Sequence, residues 1–273
     1  MVPEYTMSYC MEAAAKLGRE VVVLDRPNPL SGAVVEGNVL KWPLRSFVGR
    51  FPIPVRHGMT AGELARLFNE EFELGCSLTV VPMRGWNRQM WFDQTELPWV
   101  IPSPNMPTLE TATVYPGMCL LEGTNLSEGR GTTRPFEIVG APWINPELLV
   151  EALRKEELPG VDFRPHYFQP TFQKYQGLRC GGFQLHVRDR DEFRSYRTGI
   201  AVIETLGQLF PRDFEWRQEA YEFENDRLAI DLLLGNEQIR PQIEEGQPLL
   251  EIEKAWEEEL AAFQDVRSHY LLY

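Results

Sequence analysis

Residues 120–143 of the chain read LLEGTNLSEGRGTTRPFEIVGAPW. The apolar run at the start of this stretch, Met118 to Leu121, predicts a buried strand. The segment that follows is hinged by glycines and is dense in charged and hydroxyl side chains. In open α/β sheets, ligands bind just beyond the carboxyl ends of strands. We therefore predict that this loop contributes to a site for a polyhydroxylated or anionic small molecule, the alternative being a salt-bridged surface loop.

Two further apolar segments, Glu20–Leu24 and Ser77–Val81, predict short strands. Continuous apolar strands are typical of parallel sheets that helices cover on both faces. Helices are predicted before each strand, at Met7–Leu17 and at Thr60–Phe72, where Thr60 and Glu63 form a capping-box pattern. About three strands are fewer than the usual four to six. The predicted fold class is α/β, the remnant of a doubly wound, mostly parallel Rossmann-like sheet followed by a smaller α+β domain.

The pattern changes near residue 140. Asn145-Pro146 predicts a helix start, Phe183–Val187 alternates as a strand does, and helices are predicted at Asp191–Phe210 and Glu251–Gln264. The predicted domains are residues 1–140, the C-terminal part of a Rossmann-like α/β domain, and residues 141–273, an α+β auxiliary domain.

Composition excludes several classes of partner. The formal net charge is −13, from 40 acidic and 27 basic residues, which disfavours nucleic acid and anionic membrane surfaces. No apolar run approaches the roughly 18 residues that span a bilayer. No spacing of His, Cys, Asp or Glu predicts a metal site, and no cofactor is predicted.

Candidate site residues cluster near predicted strand ends and turns. The first half of the chain contributes Asp25, Arg26, Asn28, Arg56, His57 and Asn105. The loop after Leu121 contributes Glu122, Thr124, Asn125, Glu128, Arg130 and Thr132. We expect the two groups to line one cleft, with Arg130 on a substrate carboxylate because arginine matches carboxylates bidentately. For His57 and Asn105, fixing a local turn is the alternative role, and for the segment Asp25 to Asn28 the alternative is an Asp–Arg pair that fixes a turn. The long irregular segment 82–107 contains three tryptophans, Trp86, Trp91 and Trp99. They could stack on a sugar, core packing being the alternative.

Several motifs resemble one family. They are EGTNLSEGRGTTRPFE (122–137), VVVLDRPNPLSG (21–32), PIPVRHGMTAGELA (52–65), GWNRQMWFDQTELPWVIPSPNMPT (85–108), PTFQKYQGLRCGGFQLHVRDR (170–190) and the terminal YLLY. Together they resemble the NamZ/YbbC-type exo-β-N-acetylmuramidases over almost the whole chain. The resemblance implies cleavage of N-acetylmuramic acid from non-reducing ends of peptidoglycan fragments. It also implies muramic-acid sugars as partners and a periplasmic or secreted location.

One departure from the family pattern bears on catalysis. Family members usually carry a further segment ahead of the part that matches Met1, with a Pro-Glu-His-Gly motif whose glutamate is the favoured catalytic acid. That motif is absent from this sequence, so the expectation is a truncated chain with an exposed sheet edge and a tendency to self-associate. Glycoside hydrolysis uses two carboxyl groups, and Glu128 or Glu122 is the candidate for the second.

Two alternatives remain at this point. One is an inactive fragment or a sugar-binding α/β protein without catalysis. The other is a nucleotide- or phosphate-binding α/β protein, which the missing GxGxxG and GxxxxGK[ST] motifs disfavour.

Overall fold

The computed structural model describes residues 2–273 as mixed α/β structure in two compact units. Unit 1 comprises Met1–Pro98 and Trp256–Tyr273, and unit 2 comprises Trp99–Ala255. These units differ from the expected domains, 1–140 and 141–273, whose division stays a prediction. Within the described residues, each helix is too short or too polar to cross a membrane.

The regular elements are, in chain order, α1 (Val2–Lys16), β1 (Glu20–Leu24), β2 (Glu36–Val39), β3 (Pro54–Arg56), α2 (Ala61–Glu71), β4 (Ser77–Val81), α3 (Leu109–Met118), β5 (Ile138–Ala141), α4 (Pro146–Leu153), β6 (Val161–Phe168), β7 (Cys180–Val187), α5 (Ser195–Leu209), α6 (Ala229–Leu234), α7 (Ile239–Glu244), α8 (Leu249–Lys254) and α9 (Glu257–Ser268).

The parallel sheet of unit 1 consists of β1 and β4, both at their predicted positions. They pair in register from Glu20↔Ser77 to Leu24↔Val81. Val23 packs into a core with residues of α1 and α2. Val22 and Leu24 point the other way and are 54% and 69% exposed. The expectation that helices cover both faces is therefore wrong for the described residues, since α1 and α2 lie on one face only.

The predicted third strand, Met118 to Leu121, is wrong. Helix α3 ends at Met118, and a 3-10 helix runs from Cys119 to Gly123. All four residues are at most 1% exposed. A short apolar run that is buried on every side has the same pattern in a strand and in a helix, so the sequence alone did not separate the two.

Local capping signals predicted helix starts well. Thr60 accepts from the amide of Glu63, whose carboxylate accepts from the amide of Thr60, so the capping box at α2 is confirmed. Asn145 caps α4 through the amide of Leu148. The helix predicted from Asp191 begins only at Ser195. The helix predicted at Glu251–Gln264 is two helices, α8 and α9, with the buried Trp256 between them.

Unit 2 contains an antiparallel sheet in the order β5-β7-β6. The predicted strand at Phe183–Val187 is confirmed as the second half of β7. Strand β5 was not predicted, although Ile138–Ala141 lies inside the stretch quoted first. It is four residues long and fully buried, and so short an apolar run lacks the alternation that marks a strand.

Close packing of α3 on α5 predicts the effect of a glycine substitution. A Cβ at Gly199 would lie 2.4 Å from the carbonyl oxygen of Gly117. Gly199→Ala should therefore lower the free energy of unfolding by about 1–3 kcal/mol through overpacking. Gly207 is in the same helix, and its Cβ would meet nothing nearer than 3.8 Å. Gly207→Ala should raise stability by up to about 1 kcal/mol. Urea denaturation measures both, and equal effects would contradict the packing argument.

Candidate functional site

A cleft of about 280 Å³ opens in unit 1 at the carboxyl ends of β1 and β4. Its lining comprises residues 25–27 after β1, residues 83–86 after β4, and Met90, Thr95 and Leu97. Ligands of parallel α/β sheets bind at this edge, just beyond the strands. The cleft is therefore the candidate site of unit 1.

The Asp25 carboxylate forms one wall of the cleft and is held by four donors. Oδ1 accepts from the amides of Arg26 (2.8 Å) and Gly62 (2.6 Å). Oδ2 accepts from the hydroxyls of Thr60 and Tyr273, both at 2.8 Å. Two of the four donors lie at the N-terminus of α2, where a negative charge is favoured by the helix dipole. Asp25 thus fixes the end of β1 against the start of α2.

Tyr273, the last residue of the chain, joins the two strand ends. Its hydroxyl donates to Asp25 and accepts from the amide of Met83 at 2.6 Å. Its ring packs edge-to-face on Trp86, with centroids 5.2 Å apart. Burial, followed by the hydrogen bond with Asp25, raises the pKa of Tyr273 to about 12. The phenol is therefore a stable donor near neutral pH.

Two arginines border the cleft without a partner. Arg26 and Arg84 are exposed, and in the part of the chain that the structure describes their guanidinium groups form no hydrogen bond or ion pair. The rest of the lining includes apolar and aromatic side chains, among them Met83, Trp86 and Leu97. The cleft thus combines an apolar wall with two unneutralised positive charges.

Other predicted residues of unit 1 hold turns together. Asn28 donates to the carbonyl of Met59 at 2.9 Å. Arg56 donates to the carbonyl of Leu30 at 3.1 Å and forms an ion pair with the buried Glu36 of β2. The Nδ1 of His57 accepts from the amide of Met59 at 3.1 Å. Of the predicted residues in this unit, Asp25 and Arg26 line the cleft.

In unit 2, the predicted catalytic carboxylates belong to a buried ion network. Arg130 lies 2.8 Å from Glu122 Oε1 and 3.0 Å from Glu128 Oε1. Tyr221 donates to Glu122 Oε2 at 3.0 Å, and Lys174 lies 3.2 Å from Glu128 Oε2. Every carboxylate oxygen of the pair therefore has an internal cationic or hydroxyl partner.

Lys174 ties the loop after Leu121 to the segment before β7. Its ammonium group donates to the carbonyls of Leu121 (3.2 Å), Thr124 (2.8 Å) and Leu126 (2.9 Å), as well as to Glu128. Burial lowers the pKa of Lys174 from its ordinary value, and Glu128 acts in the opposite direction. One ammonium group thus donates to three backbone carbonyls and one carboxylate of this loop.

The remaining predicted residues are also engaged locally. Thr124 Oγ1 donates to the carbonyl of Leu121 at 2.8 Å, and Thr132 Oγ1 to that of Gly129 at 2.6 Å. The Asn125 side chain donates to the carbonyl of Asp213 at 2.7 Å. Asn105 is half-buried, and its backbone N–H donates to Ser103 Oγ at 3.3 Å. The expectation of one cleft formed by both groups stays a prediction, because the first group apart from Asn105 belongs to unit 1 and the second group belongs to unit 2.

Arg84 and Tyr273 were missed by the sequence reasoning, and Trp86 was named only as a possible stacking residue. Arg84 follows the predicted strand Ser77–Val81 by three residues, so the strand-end argument applied to Asp25 would have found it. Nothing local marks Tyr273. Among the described residues, no group of three or more His, Cys, Asp or Glu side chains is placed to hold a metal ion.

Comparisons with known proteins cover almost the whole length of the chain. Residues 4–110 match the family model described as the N-terminal part of exo-β-N-acetylmuramidase NamZ, and residues 113–273 match its C-terminal part. The chain is 51% identical over 269 residues to the peptidoglycan β-N-acetylmuramidase NamZ of Bacillus subtilis (strain 168). That match covers 98% of this chain and 63% of the relative, so the chain spans under two thirds of the relative's length.

Two crystal structures of DUF1343 family proteins from Bacteroides fragilis share the fold. The first superposes with a TM-score of 0.91 at 34% identity, and the second with 0.78 at 31%. Each match covers 99% of this chain and 70% of the solved chain.

The network in unit 2 predicts a large stability effect at Lys174. Lys174→Met removes one of the two cationic partners of Glu128 and a donor to three carbonyls, and breaking a buried ion pair costs about 3–5 kcal/mol. The exposed pair of Lys155 and Glu151 is 3.6 Å apart with side chains 73% and 72% exposed, so Lys155→Met should cost at most about 1 kcal/mol. Chemical denaturation compares the two, and similar losses would show that the network contributes little.

The hydroxyl of Tyr273 predicts a local effect at the cleft. Tyr273→Phe removes the acceptor of the Met83 amide and one donor to Asp25, at a cost of about 1 kcal/mol. Hydrogen exchange of the Met83 amide should then accelerate. Tyr270 donates to Glu71 at 3.0 Å, away from the cleft lining, so Tyr270→Phe is the matched control. Unchanged exchange at Met83 in the Tyr273 variant would argue against the bridging role.

Proposed function

The chain belongs to the NamZ family, and on this premise we propose that it acts on peptidoglycan as a glycoside hydrolase that releases N-acetylmuramic acid from non-reducing ends. The terminal sugar binds in the cleft at the carboxyl ends of β1 and β4. The observation that carries this assignment is the pair of unpartnered arginines beside an apolar wall at the edge where parallel sheets bind ligands.

The chemistry of the cleft suits a muramic-acid sugar. A pyranose ring has apolar C–H faces, which pack on side chains such as Trp86 and Met83 at the cleft wall. Its hydroxyl and acetamido groups need hydrogen-bond partners, because polar groups removed from water are costly when unpaired. Its carboxylate needs a cation, which Arg26 or Arg84 supplies. A small apolar pocket with few convergent polar groups is the usual form of a small-molecule site.

Cleavage of the glycosidic bond requires catalytic groups in addition to those that bind the sugar. Glycoside hydrolysis uses two carboxyl groups about 5–9 Å apart across the scissile bond. Asp25 is the carboxylate in the described lining, and its oxygens already accept four hydrogen bonds. This observation favours a second candidate function, which is sugar binding by this chain without turnover.

The assignment of Glu122 and Glu128 to catalysis stays a proposal. Both carboxylates are buried, and their oxygens contact Arg130, Lys174 and Tyr221. For either to protonate a leaving group, an internal partner would have to be exchanged for substrate. Glu122→Gln and Glu128→Gln therefore test the proposal, since a loss of turnover larger than the loss of folded protein would place them in the chemistry.

Binding and turnover measured on the same preparation separate the candidates. We expect saturable binding of N-acetylmuramic acid by calorimetry. Release of muramic acid from a chromogenic β-muramide would support hydrolysis by this chain, whereas binding without release would favour the second candidate. An absence of both binding and turnover would contradict the proposed function.

Self-association through the sheet is the partner proposal for this chain. Leu24 and Val22 are exposed apolar residues on a strand that pairs, in the described residues, with β4 only. Exposed strands with apolar side chains are templates for further pairing. Sedimentation should show concentration-dependent oligomers, and Leu24→Glu should shift them toward monomer. Leu250 is 58% exposed in unit 2, and Leu250→Glu should change nothing. A monomer at every concentration would refute this proposal.

A further inference from the structure

Arg26 and Arg84 occupy corresponding positions after two paired strands. Leu24 at the end of β1 pairs with Val81 at the end of β4, so the arginines follow the same edge of the sheet by two and three residues. Both side chains are exposed, and neither has a partner among the described residues.

Nearby arginines are, by contrast, already neutralised. Arg88 pairs with Glu63 and donates to the carbonyl of Gly58 at 2.8 Å. Arg56 lies 3.4 Å from Glu36. Arg26 and Arg84 are therefore the arginines of the described cleft lining, and neither is in an ion pair.

Asp25 supplies the negative charge of the described lining, and neither arginine side chain pairs with it. Its carboxylate accepts four hydrogen bonds, two of them from amides, with Gly62 at the N-terminus of α2. An apolar wall beside the arginines strengthens their attraction for an anion, because the effective dielectric constant there is lower than in water. Guanidinium groups also match the planar geometry of a carboxylate.

We propose that Arg26 and Arg84 bind the carboxylate of the lactyl ether, the group that distinguishes N-acetylmuramic acid from N-acetylglucosamine, and so determine which sugar the cleft accepts. This inference rests on the proposed function, since it names the substrate group that the same cleft recognises. It replaces Arg130 in that role, because Arg130 is held between Glu122 and Glu128.

The test compares three sugars that differ at one group. N-acetylmuramic acid, its methyl ester and N-acetylglucosamine are titrated into the full chain and followed by calorimetry and by ¹H–¹⁵N spectra. The ester keeps the bulk of the lactyl group and removes its charge. The protein variants are Arg26→Gln and Arg84→Gln. The control is Arg19→Gln, since Arg19 is an exposed arginine that precedes β1 and so lies at the opposite end of the strand.

The unaltered chain should bind the acid about tenfold or more tightly than the ester or N-acetylglucosamine, as expected for a charge-assisted contact. Each cleft variant should lose most of that preference while its affinity for N-acetylglucosamine stays the same. Arg19→Gln should keep the preference. Raising the salt concentration should reduce the preference in the unaltered chain, because exposed charges are screened.

Three outcomes would overturn the inference. Equal affinity of the unaltered chain for the acid and its ester would show that charge is not recognised. A preference that survives in both cleft variants would move the carboxylate site elsewhere and leave the proposed function standing. Failure of the unaltered chain to bind any of the three sugars would contradict the proposed sugar site itself, and the inference with it.

Discussion

The buried carboxylate of Asp25 is the contact on which the candidate site depends. A buried charge is stable only when it is fully partnered, and Asp25 has donors from Thr60, Gly62 and Tyr273 besides the adjacent amide. Because Tyr273 also accepts from Met83, the same contact fixes the end of β4. These contacts hold the two strand ends together at the wall of the cleft, whereas the guanidinium groups of Arg26 and Arg84 have no partner among the described residues.

In unit 2, by contrast, the charged side chains of the predicted site pair with one another. The loop after Leu121 is buried, yet few of its carbonyls lie in helices or sheets. Buried backbone groups need partners, and Lys174 supplies three carbonyls with a donor. Arg130 and Lys174 in turn neutralise Glu122 and Glu128. A dense set of charges close in sequence can thus be required by the fold alone.

This difference explains why the site could be located only partly from the sequence. Strand ends were predicted correctly for β1 and β4, and Asp25 and Arg26 followed from them. The density of polar side chains in the sequence favoured the loop after Leu121 as the ligand site. In the structure, the charged side chains of that loop pair with one another and with Lys174. Arg26 and Arg84, by contrast, line the cleft and have no internal partner among the described residues. That property depends on contacts such as Tyr273 with Asp25, 248 positions apart.

The sequence by itself determined the elements whose signals are local, which are the strands β1 and β4, the capping box of α2 and the start of α4, together with the family. These depend on residues within a few positions of one another. Only the tertiary structure decided that Met118 to Leu121 is helical and which charges face the cleft. Burial removes the periodicity that distinguishes helix from strand in a short run, and hydrogen-bond partners are chosen in space rather than along the chain.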